Sequence, residues 1–186
     1  MNVTVDQLAK EIVSKILHDI GSMEKTGQVV FSLTSSQKWE KAREWCEQTK
    51  QILTKSLVES LPFTAGFDGS AIPNPGTMKI GGWIKNPDGS KLYSFTKEIG
   101  QGTNNEAEYH ALIKLMEEIV KRGIKKVHIQ GDSKLIINQV NGKCRCKNSH
   151  LKVLRNQVYV ASHGLEYKLV HVVRECNSEA DSLTRE

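Results

Sequence analysis

The hydrophobic period of the chain changes at Phe63, and that change limits what it can fold into. Phe63, Ala65 and Phe67 alternate with Thr64, Gly66 and Asp68, the period of two that a strand requires. Pro73-Asn74-Pro75-Gly76 follows as a rigid loop, and Gly81 to Ile84 as a second strand. Asn86-Pro87-Asp88-Gly89 reads as a hairpin turn, with Lys91 to Ile99 as a third strand. Thr103-Asn104-Asn105-Glu106 is a capping box that opens a helix ending near Arg122-Gly123. Val127 and Ile129 mark a fourth strand, Ser133 to Val140 and Ser149 to Ala161 two helices, and Glu166 to Val173 a fifth strand. A short helix from about Asn177 closes the chain. Hairpin-linked strands followed by alternating helices and strands predict an α/β domain, a five-stranded mixed sheet flanked by helices.

Residues 1–62 carry the other period. Thr4-Val5-Asp6-Gln7 and Thr34-Ser35-Ser36-Gln37 each fit a capping box. After the first, Leu8, Ile12, Val13, Ile16, Leu17 and Ile20 recur at helical spacing. After the second, Trp39, Ala42, Trp45, Cys46, Thr49, Ile52, Leu53 and Leu57 run to a stop at Leu61-Pro62. The expected organisation is a small helical extension over 1–62 and a mixed-sheet domain over 63–186. Two amphipathic helices cannot bury both apolar stripes alone, so they are expected to pack on each other.

Charge separates the two parts. Residues 1–62 hold eight basic and eight acidic side chains, whereas 63–186 hold 18 and 13, so the whole net charge of +5 sits in the second part. A basic domain favours a polyanionic partner, although ordinary solubility charge gives the same composition. No apolar run reaches the length of a membrane span, which excludes an integral helical membrane protein. The first residues lack the basic and apolar regions of a secretion signal. Cys46, Cys144, Cys146 and Cys176 do not form a disulfide framework; free thiols and a cytoplasmic location are expected. Cys144-x-Cys146 lacks the spacing and the second ligand pair of a zinc site.

Four acidic residues stand where packing does not explain them together. Asp68 faces away from Phe63, Ala65 and Phe67, and the small residues Gly69 and Ser70 after it leave room for a partner to approach the backbone. Glu108 lies four residues before Leu112 and seven before Leu115, on the stripe that the helix must bury. A carboxylate there costs several kcal/mol unless a cation or donors compensate it. Asp132 ends the fourth strand, and Asp181 lies in the last helix. Singly, Asp68 reads as a turn former, Asp132 as a helix cap and Asp181 as a solvated carboxylate. Jointly, two strand ends and two helices can bring them to one point. Like charges gathered there repel unless a divalent cation holds them, and hard oxygen ligands suit Mg²⁺ or Mn²⁺.

The residues resemble type 1 ribonuclease H. The likeness rests on Phe67-Asp68-Gly69-Ser70 with Asn74-Pro75-Gly76, Thr103-Asn104-Asn105-x-x-Glu108, Gly131-Asp132-Ser133, and Arg174-Glu175-x-Asn177-x-x-Ala180-Asp181, in family order. It covers 63–186. It implies a ribonuclease-H-like fold and hydrolysis of the RNA strand of RNA–DNA hybrids, leaving 5′-phosphate and 3′-hydroxyl ends. It also implies two Mg²⁺ ions, with Mn²⁺ as a substitute. By position Asp68 would bridge both ions, Asp181 would serve the ion that activates water, and Glu108 and Asp132 the ion at the leaving oxygen. Such a pair clamps the attacking and leaving oxygens of a phosphodiester.

The same matching extends to substrate. Gly69, Ser70, Asn74, Asn104 and Asn105 would meet the hybrid, the asparagines sensing the 2′-hydroxyl in the minor groove. Thr103 at a helix N-terminus would hold a DNA-strand phosphate, though Thr103 and Asn105 also read as plain helix caps. Lys134 stands where many relatives carry Gln, and 141–147 leaves no room for the extra basic helix of some members. His171 reads either as a mobile histidine aiding product release or as a packed strand residue. Broader activity that includes double-stranded RNA, and a ribonuclease-H-fold module that binds partners without cleavage, are the alternative functions. A monomer is expected, with 1–62 contacting a protein or nucleic acid.

Overall fold

The computed structural model of this 186-residue chain describes residues 14, 18, 40, 44, 47–55 and 61–185. The chain divides after Leu61 into two units, each taken by itself. In the first, the described residues other than Leu61 are helical, including the run 47–55 where the second amphipathic pattern falls. The rest of that pattern, nearly all of the first one, and the packing expected between them lie outside the described residues.

The second unit is built on a five-stranded sheet. Its strands are β1 (Phe63–Ile72), β2 (Gly76–Lys85), β3 (Lys91–Gly102), β4 (Lys126–Gly131) and β5 (Glu166–His171), in the order β3-β2-β1-β4-β5. The first three pair antiparallel through short turns, while β4 and β5 join in parallel, so the sheet is mixed. The β2–β3 turn is where the Asn-Pro-Asp-Gly run put it. Asn86 N–H donates to the Ser90 carbonyl at 2.8 Å, and Gly89 adopts φ +85°.

Helix α1 (Asn104–Lys121) starts at the expected capping box. Glu106 N–H donates to the Thr103 hydroxyl oxygen, and Thr103 N–H donates back to the Glu106 carboxylate at 2.7 Å. Leu112, Leu115, Met116 and Ile119 are all fully buried, against Ala65, Phe67, Ile84, Val127 and Ile129 of the sheet. Burying each large side chain of this kind stabilises by about 1.5–3 kcal/mol. Helices α2 (Lys134–Val140) and α3 (Ser149–Ala161) complete that layer, and Leu154 and Val158 enter the same core. Among the described residues no helix is long and apolar enough to cross a membrane.

Among the described residues of this unit, the opposite face carries α4 (Ser178–Arg185), entered through a 3₁₀ turn at Arg174–Asn177. Gly81 on β2 makes the seat. A Cβ there would lie 2.7 Å from Leu183 Cβ and 3.2 Å from Thr184 Cγ2. Gly81 pairs with Asp68 across the β1–β2 ladder, so Asp68 also faces α4.

Five boundaries differ from expectation, the first being that of β2, which begins at Gly76 rather than Gly81. β1 continues to Ile72, because residues 68–72 pair with β2. β3 runs to Gly102 rather than Ile99, since a bulge at Gly100 (φ +43°) lets pairing resume at Gln101. β5 stops at His171, where the chain turns into the 3₁₀ segment. Helix α2 begins at Lys134 with Ser133 as its cap, so Asp132 is not the capping residue.

Candidate active site

Three of the four acids converge. One carboxylate oxygen from each of Asp68, Glu108 and Asp132 lies within 4.8 Å of the others. Asp68 comes from β1, Glu108 from the second turn of α1, and Asp132 from just beyond β4. The approach of α1 depends on Gly69. A Cβ at that position would sit 2.2 Å from the Ala107 carbonyl carbon and 2.3 Å from Glu108 N. The space that the sequence left open beside Asp68 is therefore filled by the backbone that carries Glu108. Replacing Gly69 by Ala must push two backbones apart at the residues that bear two of the acids. The expected result is a loss of about 1–3 kcal/mol in urea-induced unfolding; unchanged stability would show that the contact is loose.

Neighbouring side chains hold the acids in place. Asp68 is 5% exposed and accepts a hydrogen bond at Oδ2 from the Thr184 hydroxyl, which is itself buried. Asn177, wholly buried, donates through Nδ2 to Asp132 Oδ1 at 3.2 Å and to the Phe67 carbonyl at 3.0 Å. Glu108 has no such support. Its Oε2 is buried without a hydrogen-bond partner. Burial raises the Glu108 carboxyl well above the ordinary range, and the charges of Asp68 and Asp132 add to the rise. Asp68 is also raised, by burial first, against the lowering effect of Thr184.

The fourth acid departs from expectation. Asp181 is not among the three gathered carboxylates. Arg174 Nη2 lies 2.6 Å from its Oδ1, and Arg185 Nε 2.8 Å from its Oδ2. The reason is local: Arg185 stands one turn ahead of it on α4, and Arg174 in the 3₁₀ turn that leads into that helix. Asp181 nevertheless remains close enough to raise the Asp68 carboxyl. Arg174 acts in the opposite sense on both Asp68 and Glu108.

The donor set fits a hard divalent cation. Three carboxylates meet at a partly buried point, one oxygen is buried without a donor, and two of the groups are raised by burial first and by the neighbouring charges second. A bound Mg²⁺ or Mn²⁺ relieves all three conditions.

The residues expected at the substrate are placed around this point with different commitments. Asn104 Oδ1 accepts from Ala71 N–H at 2.7 Å, and Asn74 Oδ1 accepts from Asn104 N–H at 3.1 Å. Both side-chain oxygens are thus used within the fold. Asn105 is exposed and Ser70 half-buried on β1. Thr103 is engaged by its cap, because its hydroxyl as well as its N–H donates to Glu106 Oε2, at 2.8 Å. Glu106 in turn pairs with His150 at 2.6 Å. His171 is exposed at the end of β5 and is not a packed core residue. Lys134 is exposed, and 141–148 contains no helix.

Sequence reasoning quoted Arg174 and Asn177 without assigning them work, and passed over Thr184. Helical spacing carried the signal for the last of these, since Thr184 lies three residues beyond Asp181.

Comparison with known proteins agrees with this geometry. A family model described as reverse transcriptase-like matches residues 66–186. Ribonuclease HI of Halobacterium salinarum is 32% identical over 123 residues, covering 66% of this chain and 62% of the relative. The chain thus spans just under two thirds of that relative's length. The crystal structure of RNase H1 from that archaeon superposes with a TM-score of 0.65 at 32% identity, over 67% of this chain and 96% of that one. LC11-RNase H1, solved in complex with an RNA/DNA hybrid, superposes with a TM-score of 0.63 at 32% identity, over 66% and 94% of the two chains.

Proposed function

The chain belongs to the type 1 ribonuclease H family, and on that premise we propose that it hydrolyses the RNA strand of RNA–DNA hybrids in a metal-dependent reaction. The observation that carries the reading is the buried, unpartnered Oε2 of Glu108 beside Asp68 and Asp132. A site built only for stability would have hydrogen-bonded that oxygen or replaced it with an apolar group.

Asp68, Glu108 and Asp132 are the residues that would hold the cation, which we take to be Mg²⁺. Asp181 would be a further ligand only if its carboxylate gave up Arg174 and Arg185. Bound Mg²⁺ would supply positive charge to the phosphodiester as negative charge builds on its oxygens. A pair of ions, with 5′-phosphate and 3′-hydroxyl products, is the arrangement we propose for the full site.

The protein side chains supply recognition. Because the oxygens of Asn74 and Asn104 are used internally, each side chain offers its NH₂ as the free end. Two such amide donors suit the acceptor lone pairs of a ribose 2′-hydroxyl, which DNA lacks. The positive excess of 63–186 suits a polyanionic duplex. A non-cleaving module has no use for three mutually repelling carboxylates, which supports the enzyme over it.

The test is a hybrid duplex carrying a labelled RNA strand. Protein with Mg²⁺ is expected to cut it, and chelation of the metal to stop the cutting. Hybrid binding without cleavage under both Mg²⁺ and Mn²⁺ would sink the reading.

A further inference from the structure

We infer that Thr184 is a positioning residue for Asp68, fixing through its hydroxyl the direction in which that carboxylate faces Glu108 and Asp132. The inference rests on the reading of the three acids as a cation site. Among the described residues, the bond from Thr184 Oγ1 to Asp68 Oδ2 is the one hydrogen bond to this carboxylate. Both groups are nearly sealed from solvent, at 3% and 5% exposure, so water does not substitute freely for the hydroxyl.

A threonine hydroxyl has one proton to give. Thr184 has two acceptors within reach, Asp68 Oδ2 and the Asp181 carbonyl at 3.0 Å in the preceding turn of α4. The carboxylate is the stronger acceptor, because a charged partner roughly doubles the strength of such a bond. With Oδ2 held, the Asp68 side chain cannot rotate about its terminal torsion without losing the bond. That torsion is otherwise broad and nearly two-fold. The oxygen facing the other two acids is thereby chosen in advance.

Delivery of the hydroxyl depends on how α4 docks. Gly81 admits Thr184 Cγ2 and Leu183 against β2. The Thr96 hydroxyl on β3 donates to the Leu183 carbonyl and ties the same turn down. Helix α4 thus acts on the gathered acids through Thr184, by way of Asp68. Residues that orient metal ligands in this way typically change affinity by 10–100-fold when removed.

Two substitutions separate orientation from packing. Thr184→Val keeps the shape against Gly81 and removes the hydroxyl; Thr184→Ser keeps the hydroxyl and removes the methyl. Mn²⁺ binding to the whole protein, followed by electron paramagnetic resonance, is the readout, with melting temperature measured alongside. Valine is expected to weaken Mn²⁺ binding by about tenfold or more, and serine to stay within about threefold of the unaltered protein. Binding of Mn²⁺ by the valine variant at unaltered strength, or serine falling as far as valine, would overturn the assignment. If valine prevents folding, Thr184→Ala is compared with serine in the same assay, with the same expectations. Mn²⁺ binding without hybrid cleavage by the unaltered protein would end the functional reading yet leave the role of Thr184 standing on the valine–serine contrast. No Mn²⁺ binding at all would end both.

Discussion

Asp68→Asn is expected to abolish hybrid cleavage while making the metal-free protein more stable. Asparagine keeps the size of the side chain, and its Oδ1 can still accept the Thr184 hydroxyl. What it loses is the negative charge at the centre of the acidic group. Charge stabilisation by a metal supplies several kcal/mol to a phosphodiester displacement, and at about 1.4 kcal/mol per decade the rate falls by roughly 10³-fold or more. The stability change has the opposite sign. Two unit charges about 5 Å apart repel by roughly 3 kcal/mol at an effective dielectric of 20. Burial first, and then the neighbouring charges, already raise the Asp68 and Glu108 carboxyls, so not all of this repulsion is recovered. A gain of about 1–2 kcal/mol is expected, a rise of several degrees in melting temperature for a domain of this size. Activity and thermal unfolding of the same preparation check it. Robust cleavage by the variant would remove Asp68 from the chemistry, and lost cleavage with a lower melting temperature would point to damaged folding instead.

Glu108 and Asp68 stood out in the sequence because each broke a local pattern, whereas Asp132 and Asp181 drew attention only jointly with them. Glu108 interrupted a buried stripe, and Asp68 sat in a strand beside two small residues. The fold was legible for a related reason: period-two segments, the Asn-Pro-Asp-Gly turn and the Thr103–Glu106 box are local signals, and each appears where its pattern lies. What escaped depends on long-range packing. Nothing near Gly69 in sequence says that the Ala107 backbone will fill its Cβ position. The partners of Asp181 are near it in sequence, Arg185 one turn ahead and Arg174 seven residues earlier, but that both reach its carboxylate is settled only by the folded 3₁₀ turn and helix. Thr184 escaped because its partner stands 116 residues earlier in the chain. Thr103 shows a local signal prevailing over a family likeness, as its hydroxyl is used by the helix cap that its own four residues encode.

Acidification of the metal-free protein from pH 8 toward pH 5 is expected to raise its melting temperature, and a bound divalent cation to cancel the rise. Asp68 and Glu108 have folded-state carboxyls raised above their unfolded values, the first by burial and the second by burial joined to its acidic neighbours. Between the unfolded and folded values the native chain holds more protons than the unfolded one, so stability falls as pH rises through that window. The contribution is complete below the ordinary carboxylate range and is lost as pH climbs through the raised folded values. Each extra proton bound by the native state is worth about 1.4 kcal/mol per pH unit, so the shift in melting temperature amounts to a few degrees for each pH unit over which one such group titrates. Glu118 works in the other direction at lower pH. Lys114 and Arg122 hold it down to about 2, so its stabilisation is present above the ordinary glutamate value and disappears as pH falls toward 2. The metal-free protein should therefore be most stable in the mildly acidic range, below the window set by Asp68 and Glu108 and above that set by Glu118. With Mg²⁺ or Mn²⁺ at 100 times its dissociation constant, the ion adds about 2.7 kcal/mol at neutral pH. It adds less at pH 5, where protons compete for the same oxygens. Melting curves at several pH values, with and without the ion, measure both effects together. A metal-free protein whose melting temperature held steady or fell between pH 8 and pH 5, with no larger gain from the ion at neutral pH, would show that these carboxylates do not share one crowded site.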